Sequence, residues 1–250
     1  MSPMPALFVS HGSPMILVEP SPARDFLTRL ADIVPRPRAI VVISAHWTTP
    51  APQVSNSAHP RTIHDFRGFP PELYDLRYDA PGDPELAATI ARMSGAEPVE
   101  HGLDHGAWVP LLLGWPQADI PVLQLSIQAG EDPTHHYLLG RKLAGLRHDG
   151  VLILGSGALT HNLRAYFGDD PLATARNVAF ADWMAAKVAK DSTEDLLAYR
   201  PRAPEAAFAH PTDEHLLPLF VAMGAGDDGH GRVVHRSQDG CLAMDAYAWE

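Results

Sequence analysis

Four short runs of unbroken apolar residues punctuate the chain, and between them apolar positions recur at the three-and-four spacing of a helix face. The runs begin near Pro5, at Arg38, at Ile120 and at Val151. Their length, β-branched content and bounding Pro or Gly residues predict buried strands. Ser21 and Asp83 read as caps of helices over about residues 22–33 and through Met93, the first with Phe26, Leu27 and Leu30 on one stripe. A short helix carries Trp108 inward, and further helices are predicted over 133–146, 171–189 and 193–199. His210 to Leu219 opens another, with Thr212 as its cap and acids in its first turn. Arg232–Arg236 and Leu242–Tyr247 read as closing strands with a hairpin around Asp239-Gly240. Only residues 48–80, rich in proline and aromatics, lack a period, and long loops of this kind often cover a site. The alternation predicts one three-layer α/β domain over residues 1–250, with a mostly parallel or mixed central sheet flanked by helices.

Composition narrows the class without naming a reaction. Hydrophobic residues make up 46% of the 250 positions and charged residues 20%, enough apolar material for a sizeable core. The net charge of −11, with only 19 Lys and Arg spread through the chain, argues against a nucleic-acid partner. No apolar run approaches the roughly 20 residues that span a bilayer, and the opening residues lack the pattern of a secretory signal. Cys241 is the only cysteine, so no cysteine cluster can hold a metal, and a cytoplasmic location fits.

The 14 histidines change the picture through their positions. Three predicted strands end at or just before one: Phe8-Val9-Ser10-His11-Gly12, Ile43-Ser44-Ala45-His46, and Gly155-Ser156-Gly157 leading to His161. If those strands are parallel, the three imidazoles emerge on one edge of the sheet, where open α/β folds bind ligands. Such a convergence suits a divalent metal, Fe(II) or Zn(II), with Glu214 or His215 offering a third ligand. His161 reads as a base held near the metal rather than a ligand, or as a helix cap. His105, between Asp104 and Gly106, reads as a proton-transfer residue or a loop residue. His59, His64, His101, His135, His136, His148, His210, His230 and His235 read as surface or loop positions, and Cys241 as a core residue in an apolar strand. No Gly-x-Ser-x-Gly elbow and no phosphate-binding glycine motif is present.

Taken in order, Ser10-His11-Gly12-Ser13-Pro14, Ser44-Ala45-His46-Trp47, Ile63-His64-Asp65-Phe66, Gly68-Phe69-Pro70, Asp104-His105-Gly106-Ala107-Trp108, Thr160-His161-Asn162-Leu163 and Pro211-Thr212-Asp213-Glu214-His215 resemble the class III extradiol ring-cleavage dioxygenases, in the branch called 4,5-DOPA dioxygenase extradiol. The resemblance implies one divalent metal, Fe(II) for ring cleavage or Zn(II), held by His11, His46 and His215, with Glu214 as the competing third ligand. It implies His161 as base or fourth contact, His105 as proton donor, and a catechol and O2 as reactants. Trp47, His64, Phe66 and Trp108 would wall the substrate or simply pack the core. A zinc-dependent hydrolase or a non-catalytic metal-binding protein on the same scaffold is the competing reading, and a homo-oligomer is left open.

Overall fold

All four apolar runs are strands of one sheet. The computed structural model describes residues 2–227 and 229–250. In chain order the strands are β1 (Ala6–Ser10), β2 (Ala39–Thr48), β3 (Gln53–Ser55), β4 (Glu97–Val99), β5 (Val122–Ile127), β6 (Val151–Gly157), β7 (Gly231–His235), β8 (Gln238–Asp239), β9 (Leu242–Ala243) and β10 (Ala246–Trp249). Eight form a mixed sheet in the order β4-β3-β5-β2-β6-β1-β10-β7, while β8 and β9 make a separate hairpin. The central strands β5, β2, β6 and β1 are mutually parallel, and β10 pairs antiparallel with β1.

The unbroken apolar character of these strands follows from burial on both faces. Val41 and Ile43 of β2 and Ile153 of β6 join one core, with the helices Pro133–Leu143, Ala173–Val188 and Leu217–Ala225. Their neighbours Ile40, Val42 and Leu152 join the other, with Pro22–Leu27 and His105–Gly114. Side chains alternate across a strand, so adjacent residues serve opposite layers. The α/β fold class predicted from the sequence is the one observed, a mixed sheet flanked by helices.

Several elements differ from expectation. The helix predicted over 22–33 breaks at Thr28–Arg29 into Pro22–Leu27 and Leu30–Ile33. The predicted helix at His210 starts only at Leu217. Thr212 does not cap it, its hydroxyl donating instead to Glu214 Oε1 at 3.0 Å, and the acids lie in turns ahead of the helix. β3 and β4 fall in stretches where no strand was expected, each too short for an alternation to show. His136 and His210 are fully buried rather than on the surface. The first bridges Asp132 O (2.9 Å) and the Gln128 amide (3.2 Å), and the second meets Leu159 O at 2.7 Å. Cys241 is half-buried in the β8–β9 turn rather than in a strand.

Candidate active site

The carboxyl ends of β1, β2 and β6 open into a cavity of about 600 Å³. His11 follows β1 directly, where Gly12 at φ +68° turns the chain aside. A side chain there would be strained and would reach Met244 Cε at 3.0 Å. His46 lies within β2, two residues before its end. His105 opens the helix His105–Gly114, whose first turn is capped by Asp104 accepting from the Ala107 amide. His161 lies four residues beyond β6, its amide donating to Ala209 O at 2.8 Å. His215 is pinned from behind, its carbonyl accepting from the Ala158 amide at 2.9 Å. All five imidazoles line the one cavity.

Their rings crowd together. His11 and His46 face each other with Nε2 atoms 3.1 Å apart. The ring centres of His11, His46 and His215 are separated by 5.1, 5.9 and 5.0 Å. His105 stacks obliquely on His46 at 3.9 Å, and His161 lies flat on His215 at 3.4 Å. Two groupings have ligand atoms close enough to share an ion: His11 with His46 and His105, and His161 with Glu214 and His215.

The partners of the outer ring nitrogens decide what each imidazole offers. Ser156 Oγ donates to the Gly106 carbonyl, so it can only accept from His11 Nδ1, 3.0 Å away. That fixes the proton on Nδ1 and leaves Nε2 with its lone pair facing the cluster. Glu214 Oε1, 3.2 Å from His215 Nδ1, does the same for His215. Asp65 Oδ2 lies 3.0 Å from His105 Nδ1 and 3.7 Å from His46 Nδ1, while Oδ1 accepts from the His105 amide at 2.9 Å. Ser44 Oγ donates to Asp104 Oδ1 at 2.6 Å beneath them.

Burial, followed by the proximity of the other imidazoles, holds His11 and His215 well below the ordinary histidine range. The same causes, burial first, lower His46 to about 3, although Asp65 and Glu214 pull it the other way. Burial lowers His161 too, against an upward pull from Glu214. Burial pushes the Asp65 carboxyl up, but its contacts with His105 outweigh this and keep it ionised. Asp104 is pushed up to about 6 by burial. At neutral pH His11, His46, His161 and His215 are therefore uncharged, with the Asp65 carboxylate behind them.

Of the aromatic residues singled out in the sequence, Phe66 lines the cavity together with Phe69. His64 and Trp108 lie behind Phe66, with ring centres 5.6 and 6.3 Å from it, and are not part of the lining. Trp108 is wholly buried and donates through Nε1 to Ile63 O at 3.0 Å. Trp47 stacks on His101 at 4.0 Å, also away from the cavity. Ser156 and Asp65 stood in the quoted motifs without a role. Gly155-Ser156-Gly157 forms the end of β6 itself rather than a turn, and its two glycines were the signal that another segment approaches the strand closely.

The chain matches, over residues 5–245, the family described as the catalytic LigB subunit of aromatic ring-opening dioxygenase. It is 45% identical over 244 residues to a Beta vulgaris protein named 4,5-DOPA dioxygenase extradiol, covering 93% of this chain and 91% of that one. A protein of the same name from Escherichia coli (strain K12) is 40% identical over 237 residues, covering 90% and 86%. A crystal structure of an uncharacterized protein from Escherichia coli K12 superposes with a TM-score of 0.81 at 32% identity, covering 99% of this chain and all of that one. The chain belongs to the LigB family of aromatic ring-opening dioxygenases. Its chemistry is extradiol ring opening, with a metal, a small aromatic molecule and O2 as participants.

Proposed function

We propose that the chain cleaves a DOPA-like catechol beside its two hydroxyls, using Fe(II) held by His11, His46 and His215, and releases a ring-opened semialdehyde carrying both atoms of O2. The observation that carries this reading is the set of five imidazoles in one cavity, four of them kept neutral by burial and two with a lone pair turned inward by a committed partner at Nδ1. Neutral imidazole is the form that ligates, and His11, His46 and His215, with ring centres 5.1, 5.9 and 5.0 Å apart, would hold the ion between the two groupings of donors. Glu214 is then the carboxylate that orients His215 rather than the third ligand, an arrangement common behind metal-bound histidines. Bound Fe(II) supplies open positions that bring catechol and dioxygen together and relieves the spin barrier between them.

The protein's own groups then divide the proton work. His161, neutral and flat against His215, takes a proton from a catechol hydroxyl. His105, whose Nδ1 lies 3.0 Å from the Asp65 carboxylate, is the second group placed to exchange a proton. Phe66 and Phe69 form an apolar wall for a flat ring and keep water from it. The lone Cys241 fits a reducing cytoplasm, in which iron stays ferrous. Anaerobic loading with Fe(II), followed by oxygen and DOPA, is expected to give a yellow product with one O2 consumed per ring opened. Absence of oxygen uptake across a panel of catechols would refute the proposal.

A further inference from the structure

From its buried floor to its mouth the cavity changes character. The imidazoles sit at the floor, and Ile16, Phe66, Phe69 and Met244 line the apolar middle. At the open end stand exposed Glu19 and half-buried Asp239, which among the described residues are the acidic members of a lining without Lys or Arg. Arg24, Arg67 and Arg164, next in sequence to lining residues, are absent from the lining, Arg67 and Arg164 exposed and Arg24 half-buried.

Three separate segments contribute to this part of the lining. Glu19 follows the 3-10 turn Pro14–Leu17 that leaves His11, and Asp239 lies in the β8–β9 hairpin. Between them Tyr166, from the short helix Leu163–Tyr166, donates its hydroxyl to Asp239 Oδ1 at 3.3 Å. Its ring packs so closely on Gly240 that a Cβ there would fall 2.8 Å from Tyr166 Cε2. Glu19, Tyr166 and Asp239 all line the same end of the one cavity, and burial followed by Asp239 and Glu19 raises the Tyr166 hydroxyl.

We propose that Glu19 and Asp239 determine specificity by reading a protonated amine on the side chain of the catechol, with Tyr166 positioning Asp239. The substrate class is then a catechol bearing a cationic amine, whether or not a carboxylate accompanies it, and acidic catechols are disfavoured. This rests on the catechol reading of the cavity, since the diol must point to the histidines for the side chain to reach the mouth. The net charge of −11 adds a field that draws cations and repels anions. An exposed amine–carboxylate pair contributes modestly, so each carboxylate should favour a cationic tail by roughly twofold to fivefold.

The test compares four catechols with similar side chains on the Fe(II)-loaded protein: 4-ethylcatechol, dopamine, DOPA and 3,4-dihydroxyphenylpropionate. Dissociation constants are measured without oxygen and kcat/KM with it. Dopamine is expected to exceed 4-ethylcatechol by about tenfold in both, and the propionate to fall below it. Glu19→Gln and Asp239→Asn should each shrink the dopamine to 4-ethylcatechol ratio, Tyr166→Phe should shrink it less, and the double carboxylate variant should bring it near one. Because the readout is a ratio within one protein, a variant that folds poorly does not imitate the result. Equal binding of dopamine and 4-ethylcatechol to the parent protein, or a ratio unchanged in the double variant, overturns the proposal. If no catechol is oxidised, the dioxygenase reading fails on its own, and the anaerobic binding ratio still decides the amine selection.

Discussion

Ser156 shows how much one hydroxyl can govern. It spends its proton on Gly106 and so dictates which nitrogen of His11 faces the cluster. Ser156→Ala is expected to weaken metal binding about 10- to 100-fold while leaving the melting temperature of the metal-free protein close to the parent, measured by competition with a chromogenic chelator. His161→Ala should abolish turnover yet keep the metal; loss of stoichiometric metal would show it to be a ligand instead. The buried histidines also set the response to acid. His136 and His210 are lowered to about 4, chiefly by burial, so both are neutral in the native state. Their contribution is complete above the unfolded value of about 6.5 and is lost as pH falls toward 4, up to about 3 kcal/mol each. Asp104 and Asp245, both raised to about 6 mainly by burial, act in the opposite direction. The histidines are nevertheless more numerous, because His11 and His215 are lowered as well. The urea midpoint should therefore drop between pH 7 and pH 4.5, and a flat profile would contradict this account.

Elements meet here through glycines that have no room for a side chain. A Cβ at Gly157 would lie 2.0 Å from the carbonyl oxygen of His215, and one at Gly140 would lie 2.1 Å from that of Val221. The two sites should fail differently. Gly140→Ala wedges the helices Pro133–Leu143 and Leu217–Ala225 apart and is expected to cost roughly 2–4 kcal/mol by chemical denaturation. Gly157→Ala pushes on the backbone of His215, and metal content should fall by more than stability does. This layer also marks where sequence reading stopped. β1, β2, β5 and β6 were legible because burial on both faces leaves unbroken apolar runs, whereas the three-residue strands β3 and β4 are too short to leave one. The histidines were legible as chemistry-bearing residues at strand ends. The roles of Ser156 and Asp65 were not, because they depend on partners 145 and 40 positions away. Trp47 and Trp108 look the same in sequence whether they face a cavity or a core. The turn at His210–His215 carries the residues of a helix cap, yet Asp213 is taken by Arg200 and Tyr199 instead.

For the molecule as a whole, the metal acts as a clamp across β1, β2 and the segment before Leu217 if His11, His46 and His215 hold it. A ligand that binds only the native state at 100 times its dissociation constant adds about 2.7 kcal/mol. For a chain of this size that should raise the melting temperature by roughly 5–10 °C, and a chelator should reverse it. A melting temperature indifferent to metal would mean that the donors do not share one ion. The position of β1, between β6 and β10, has a further consequence for how the protein is made. This strand is synthesised first, but both its neighbours lie far downstream. Until they arrive it is an apolar ribbon with two open edges, the kind of segment that pairs with the wrong partner. Its long-range pairing makes folding slow relative to local helix formation. The growing chain thus has most need of chaperone protection around β1, where His11 waits for the rest of its site.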